Sequence, residues 1–73
     1  MQEERIFFYS ILEKGKSSKD ICIQINEMIK SKKRIECFEY EGGGIWIRSN
    51  LNPHGLRKNI QKNLNIKISD PIS

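Results

Sequence analysis

The sequence predicts a small α+β domain, a two-layer βαββαβ sandwich with two helices on one face of an antiparallel sheet. Three observations carry this reading. Ile21, Cys22, Ile25, Met28 and Ile29 recur at i, i+1, i+4, i+7 and i+8, the apolar stripe of a helix. Residues 35–41 and 45–48 alternate on either side of three consecutive glycines, the pattern of a hairpin. Leu56, Ile60 and Leu64 make a second helical stripe behind a proline.

The first segment, Ile6-Phe7-Phe8-Tyr9-Ser10-Ile11-Leu12, has six apolar or aromatic residues in seven, so periodicity does not separate strand from buried helix. Its length and aromatic content favour a strand. Its flanks, with Glu3 and Glu4 before it and Lys14-Gly15 after it, have the charge order of a helix. Ser17-Ser18-Lys19-Asp20 then reads as a capping start, because these side chains accept from the orphan N–H groups of a first turn. The helix it opens is expected to run to about Lys32. In the hairpin, Gly42-Gly43-Gly44 supply the positive φ that a tight turn requires. Asn50 or Asn52 caps the second helix, with Pro53 in its first turn, and Ile66-Lys67-Ile68-Ser69 reads as a short last strand stopped by Pro71.

With a strand first, the order is βαββαβ, the split βαβ or ferredoxin-like layout. With a helix first it is ααββα, similar to a truncated winged helix. Spacing argues against the second: only 14 residues lie between Asp20 and Ile35, room for one helix where a helix-turn-helix needs two.

Composition sets further bounds. A chain of 73 residues holds one domain at most, residues 1–73, with too little interior for a nucleotide-binding α/β enzyme or a TIM barrel. There are 13 isoleucines and no alanine, valine or threonine, a usage that fits an AT-rich coding sequence of bacterial, phage or mobile-element type. The net charge is +4, spread evenly between the two halves, with one dense cluster at Lys30, Lys32, Lys33 and Arg34. Two cysteines are too few for a disulfide scaffold, and both lie in apolar stretches. The N-terminal residues do not read as a signal peptide, and no apolar run is long enough to span a bilayer. The expected location is therefore intracellular and cytoplasmic, or the host cytoplasm for a phage product, with no membrane partner.

Alternation sorts the hairpin side chains into faces. Ile35, Cys37, Ile45 and Ile47 fall on one side, the natural core. Phe38, Tyr40, Trp46 and Arg48 fall on the other, joined by Phe8 or by Phe7 and Tyr9 according to the register of the first strand. A two-layer fold has no helices over that second face, so an aromatic face interleaved with arginine points to a partner. Three uses fit: a protein partner, a homodimer, or unpaired bases stacked on the rings. The competing structural explanation is that the C-terminal tail or the first segment covers the face as a second small core. For nucleic acid, Lys30, Lys32, Lys33 and Arg34 would join Arg57, Lys58 and Lys62 as phosphate contacts; the plainer reading of all seven is a solvated basic surface.

Two further constellations bear on chemistry. Residues 10–17 match the phosphate-binding loop Gly-x4-Gly-Lys-Ser except that Ser10 stands where the first glycine belongs. That loss removes the close backbone curl, leaving Lys14 and Lys16 as weak anion contacts beside a helix start. His54, the only histidine, would need to meet Cys22 and Cys37 to build a nucleophile–base pair or a metal site, and no spacing supports that. Glu39 and Glu41 read as edge charges that discourage aggregation. The expectation is a small binding or regulatory protein without catalytic residues, metal or cofactor. Its expected action is on a protein partner, as a phage- or mobile-element-type inhibitor of a host complex would act, with nucleic-acid binding as the alternative.

Overall fold

The computed structural model describes residues 4–28 and 35–72. Along the chain run β1 (Arg5–Ser10), α1 (Ser18–Met28), β2 (Ile35–Tyr40), β3 (Gly44–Ser49) and α2 (Pro53–Leu64). The three strands form one antiparallel sheet in the order β1-β3-β2. The first segment is therefore a strand, and the ααββα alternative is overturned. Every residue of β1 pairs with β3, from Arg5 opposite Ser49 to Ser10 opposite Gly44. That pairing settles an apolar run whose two sides both have something to meet.

Local chemistry fixes the element ends. Ser17 caps α1: its carbonyl accepts from the N–H of Ile21 at 3.0 Å and its Oγ from the N–H of Asp20 at 3.4 Å. The helix expected to reach Lys32 is described to Met28; Ile29 and the rest lie outside the described residues. Tyr40 pairs with Gly44 across a three-residue loop in which Gly43, at φ +96°, donates its N–H to the Tyr40 carbonyl at 3.1 Å. Asn52, rather than Asn50, caps α2 by accepting the N–H groups of His54 and Gly55. Asn65 ends that helix in the left-handed conformation.

The expected last strand does not form as a strand. Residues 66–72 return as extended chain beside β1 and make two isolated antiparallel bridges, Ile11 to Ile68 and Phe8 to Ile72. Two residues separate these positions on the first segment and three on the tail, so the tail carries one residue too many for a regular ladder. The Ser10 N–H accordingly finds the Ser69 hydroxyl at 2.8 Å instead of a carbonyl, and Pro71 has no N–H to give. Arg57 holds the irregular stretch from α2. Its Nε donates to the carbonyls of Ile68 and Ser69 at 3.1 and 3.0 Å, and its guanidinium pairs with Asp70 at 3.5 Å.

One core lies between the sheet and the helices. Tyr9, Cys37, Ile45 and Ile47 come from the sheet, Ile21, Cys22 and Ile25 from α1, Leu56 and Ile60 from α2, and Ile66 and Ile68 from the tail. With the smaller aliphatics missing, isoleucine fills it at seven of these eleven places. Tyr9 is the exception in shape and polarity. Fully buried, it donates its hydroxyl to the Pro53 carbonyl at 2.9 Å and so ties β1 to the start of α2.

Burial pushes the Tyr9 phenol up to about 12 from its ordinary 10.0, while the charge of Arg57 acts in the opposite direction. A raised folded-state pKa means that the stabilisation is complete below pH 10 and is lost as pH climbs from about 10 to about 12, where only the unfolded chain ionises freely. Tyr9→Phe is expected to cost about 1–3 kcal/mol at neutral pH, because the Pro53 carbonyl stays buried without its donor. The same variant is expected to lose less stability than the parent on going from pH 9 to pH 11.5. Denaturant midpoints of both proteins at the two pH values measure this; parallel losses would show that Tyr9 does not carry the alkaline transition.

Candidate interaction face

Opposite the core, the sheet turns a second set of side chains outward. Strand parity and register place Ile6, Phe8 and Ser10 of β1, Glu36, Phe38 and Tyr40 of β2, and Gly44, Trp46 and Arg48 of β3 on this side. Of the first-strand choices left open by the sequence, Phe8 joins the aromatic face, while Tyr9 is buried in the core and Phe7 packs against it. Phe38, Tyr40, Trp46 and Arg48 do share one face, and no described element covers it.

The arrangement is a row crossed by a pair. Phe38 lies opposite Trp46, Trp46 opposite Phe8, and Phe8 opposite Ile72, so four apolar side chains run straight across the sheet and onto the tail. Phe8 sits 5.0 Å from Trp46 between ring centres and meets Tyr40 edge-on at 5.4 Å. That second contact depends on Gly44, opposite Ser10 and Tyr40 in the register and diagonal to Phe8: a side chain there would occupy the place of the Phe8 ring. Phe38 and Tyr40 keep about half their surface in solvent, at 45% and 49%, and Ile6 and Ile72 are comparably open. The tail therefore lengthens the apolar row at its far end and leaves the β2 end uncovered.

Charge on this face centres on Arg48, which feels Glu36 first and Glu4 more weakly. Arg48 is its one cation and Glu36 its one anion among the described strand positions, and they stand opposite each other in the register. The Arg48 Nε donates to Glu36 Oε1 at 2.9 Å, and Nη2 donates to the same oxygen. Hydrogen bonding to Glu36 raises the Arg48 pKa further, and its guanidinium lies 6.0 Å above the Phe38 ring. Arg48 is thus occupied by its neighbours.

The other basic residues of the sequence do not join this face among the described residues. Lys30, Lys32, Lys33 and Arg34 lie outside the described residues. Arg57, expected beside Lys58 and Lys62 in a basic surface, is instead committed to the tail, while Lys58 and Lys62 are exposed on α2. Lys14 and Lys16 are exposed on either side of Gly15. The loop between β1 and α1 does not curl as a phosphate cradle. The Ile11 and Leu12 N–H groups are spent on the Gly43 and Lys67 carbonyls, at 2.9 and 3.0 Å. His54 sits on the exposed first turn of α2, whereas Cys22 and Cys37 are buried, and the described residues hold no group of three or more metal-ligating side chains.

Sequence reasoning missed Ile6, Ile72 and the part played by Gly44. Ile6 was legible from its position two residues before Phe8. Ile72 was not, since its face depends on the extra residue in the tail. No described helix is long and apolar enough to cross a membrane. Compared with protein-family models, curated proteins and solved structures, the chain finds no match.

Proposed function

We propose that this chain is a non-enzymatic binding module that docks a protein partner on its outer sheet face and regulates that partner by occupying it. The observation that supports this is the partly open row of Phe38, Trp46, Phe8 and Ile72, beside which Arg48 is paired with Glu36, the one cation and one anion among the described strand positions of this face. Apolar and aromatic area with little free charge is the character of the buried centre of a protein interface. A phosphate backbone would call for free cations among the rings, and Arg48 is occupied. The tail's antiparallel bridges beside β1 favour reading the fold as the split βαβ layout with an interrupted fourth strand. Both cysteines are free thiols, which favours a reducing compartment such as the cytoplasm.

The test compares the full chain with Phe38→Asp and with Lys58→Asp as bait in the source cells. Both positions are exposed, so both variants are expected to fold. The expected result is a specific bound protein lost with Phe38→Asp and kept with Lys58→Asp. Trp46, the only tryptophan, provides the counter-test by fluorescence. Quenching by single-stranded oligonucleotides, weakening steeply with salt and abolished by Lys58→Asp, would replace this reading with nucleic-acid binding.

A further inference from the structure

We propose that Cys22 and Cys37 form a peroxide-responsive pair that closes an intramolecular disulfide and ties α1 to β2. Cys22 projects from the helix and Cys37 from the strand packed beneath it, and the two thiols share one core cluster and one groove across that interface. Both are buried within the core, and both are free. Burial does not seal them. Both line an open groove of about 490 Å³ between α1 and β2, with Lys19 and Asn26 on one wall and Glu39 on the other. A groove of that volume admits a small hydroperoxide.

Their interaction distinguishes the two sulfurs: it lowers the Cys22 pKa and raises that of Cys37, so Cys22 is the more readily ionised of the pair. Cys22 is therefore the attacking group. Its thiolate displaces hydroxide from the peroxide O–O bond, becomes the sulfenic acid, and the hydroxide leaves as water after taking a proton. Cys37 then attacks the Cys22 sulfur, the S–S bond forms, and the sulfenic oxygen departs as a second water. Two thiols lose two electrons and two protons, and one peroxide is reduced to two waters. Burial raises both thiols, and Glu39 adds to the effect on Cys22, so the reaction is slow at neutral pH. Lys19 on the α1 wall is the other charged group at the groove, and Ile47, opposite Cys37 on β3, is apolar.

Native full-length protein treated with hydrogen peroxide and mapped by mass spectrometry tests this. The expected product is a monomer lighter by two hydrogen masses, with the Cys22 and Cys37 peptides joined and separated again by a thiol reductant. Its rate is expected to rise about tenfold per pH unit between pH 7 and 9, with the thiolate fraction. Because the bridge closes a loop of roughly 15 residues, the oxidised form is expected to melt about 10 °C or more above the reduced one. Cys37→Ser is expected to stop at a Cys22 sulfenic acid that dimedone traps. Oxygen added to either sulfur without a cross-link, dimers linked between chains, or thiols that react only after denaturation would each overturn the proposal. The wild-type map decides even where the serine variant does not fold.

Discussion

Ile45→Ala is expected to remove about half or more of the stability of the domain. Ile45 sits on the central strand with no solvent exposure, facing α1 and α2. Truncating a buried isoleucine costs about 2–5 kcal/mol through lost transfer energy and the cavity left behind. A domain of this size holds about 5 kcal/mol in all. The site has little means of collapsing. Its cross-strand neighbours Tyr9 and Glu39 are fixed in register, Tyr9 is held by its bond to Pro53, and the surrounding isoleucines are stiff at χ1. Circular-dichroism melting is expected to show a drop of about 10–30 °C. Ile23→Ala, at a half-exposed position on α1, is the control and is expected to move the midpoint by only a few degrees. Equal shifts for the two would show that Ile45 is not the centre of the core.

Gly44→Ala is expected to be the costliest single-methyl change, about 1–3 kcal/mol. The added carbon would fall on the Phe8 ring and stand 2.9 Å from the Tyr9 carbonyl oxygen. The ring is able to swing away, but the carbonyl is backbone in a paired strand. Relief therefore requires moving Phe8 and spreading β1 from β3. Because Phe8 touches both Trp46 and Tyr40, the tryptophan emission is expected to shift along with the lower melting temperature. A double-mutant cycle with Phe8→Leu isolates the steric term. The smaller side chain is expected to recover part of the loss, giving a coupling of about 0.5 kcal/mol or more, whereas strict additivity would place the strain elsewhere.

The elements that the sequence made legible are those with a period. Ile21, Cys22 and Ile25 share a helix side, and Ile45 and Ile47 a sheet side, because 3.6 and 2.0 are fixed by backbone geometry. The aromatic face followed from the same parity once the hairpin was seen. The first segment resisted because Phe8 and Tyr9 are both occupied, one against Trp46 and Tyr40 and the other in the core, which erases the alternation that marks a half-exposed strand. The tail and Arg57 were illegible for a different reason. One supernumerary residue between Ile68 and Ile72 breaks the ladder, and nothing local to Arg57 announces that two carbonyls distant in sequence will meet it.

The loosely bridged tail also sets the valence of the sheet. An antiparallel sheet with two bare edges is a monomer that polymerises, since each added copy presents a fresh edge to the next. Here the β1 edge is occupied by residues 66–72, leaving β2 with its row of glutamates as the open side among the described residues. A single open edge can join only once, so it limits any pairing through that edge to two copies. Loosening the Arg57 hold on Ile68, Ser69 and Asp70 would thus do more than soften a terminus. It would turn a sheet with one open edge into a sheet with two, and a second open edge is what open-ended pairing requires.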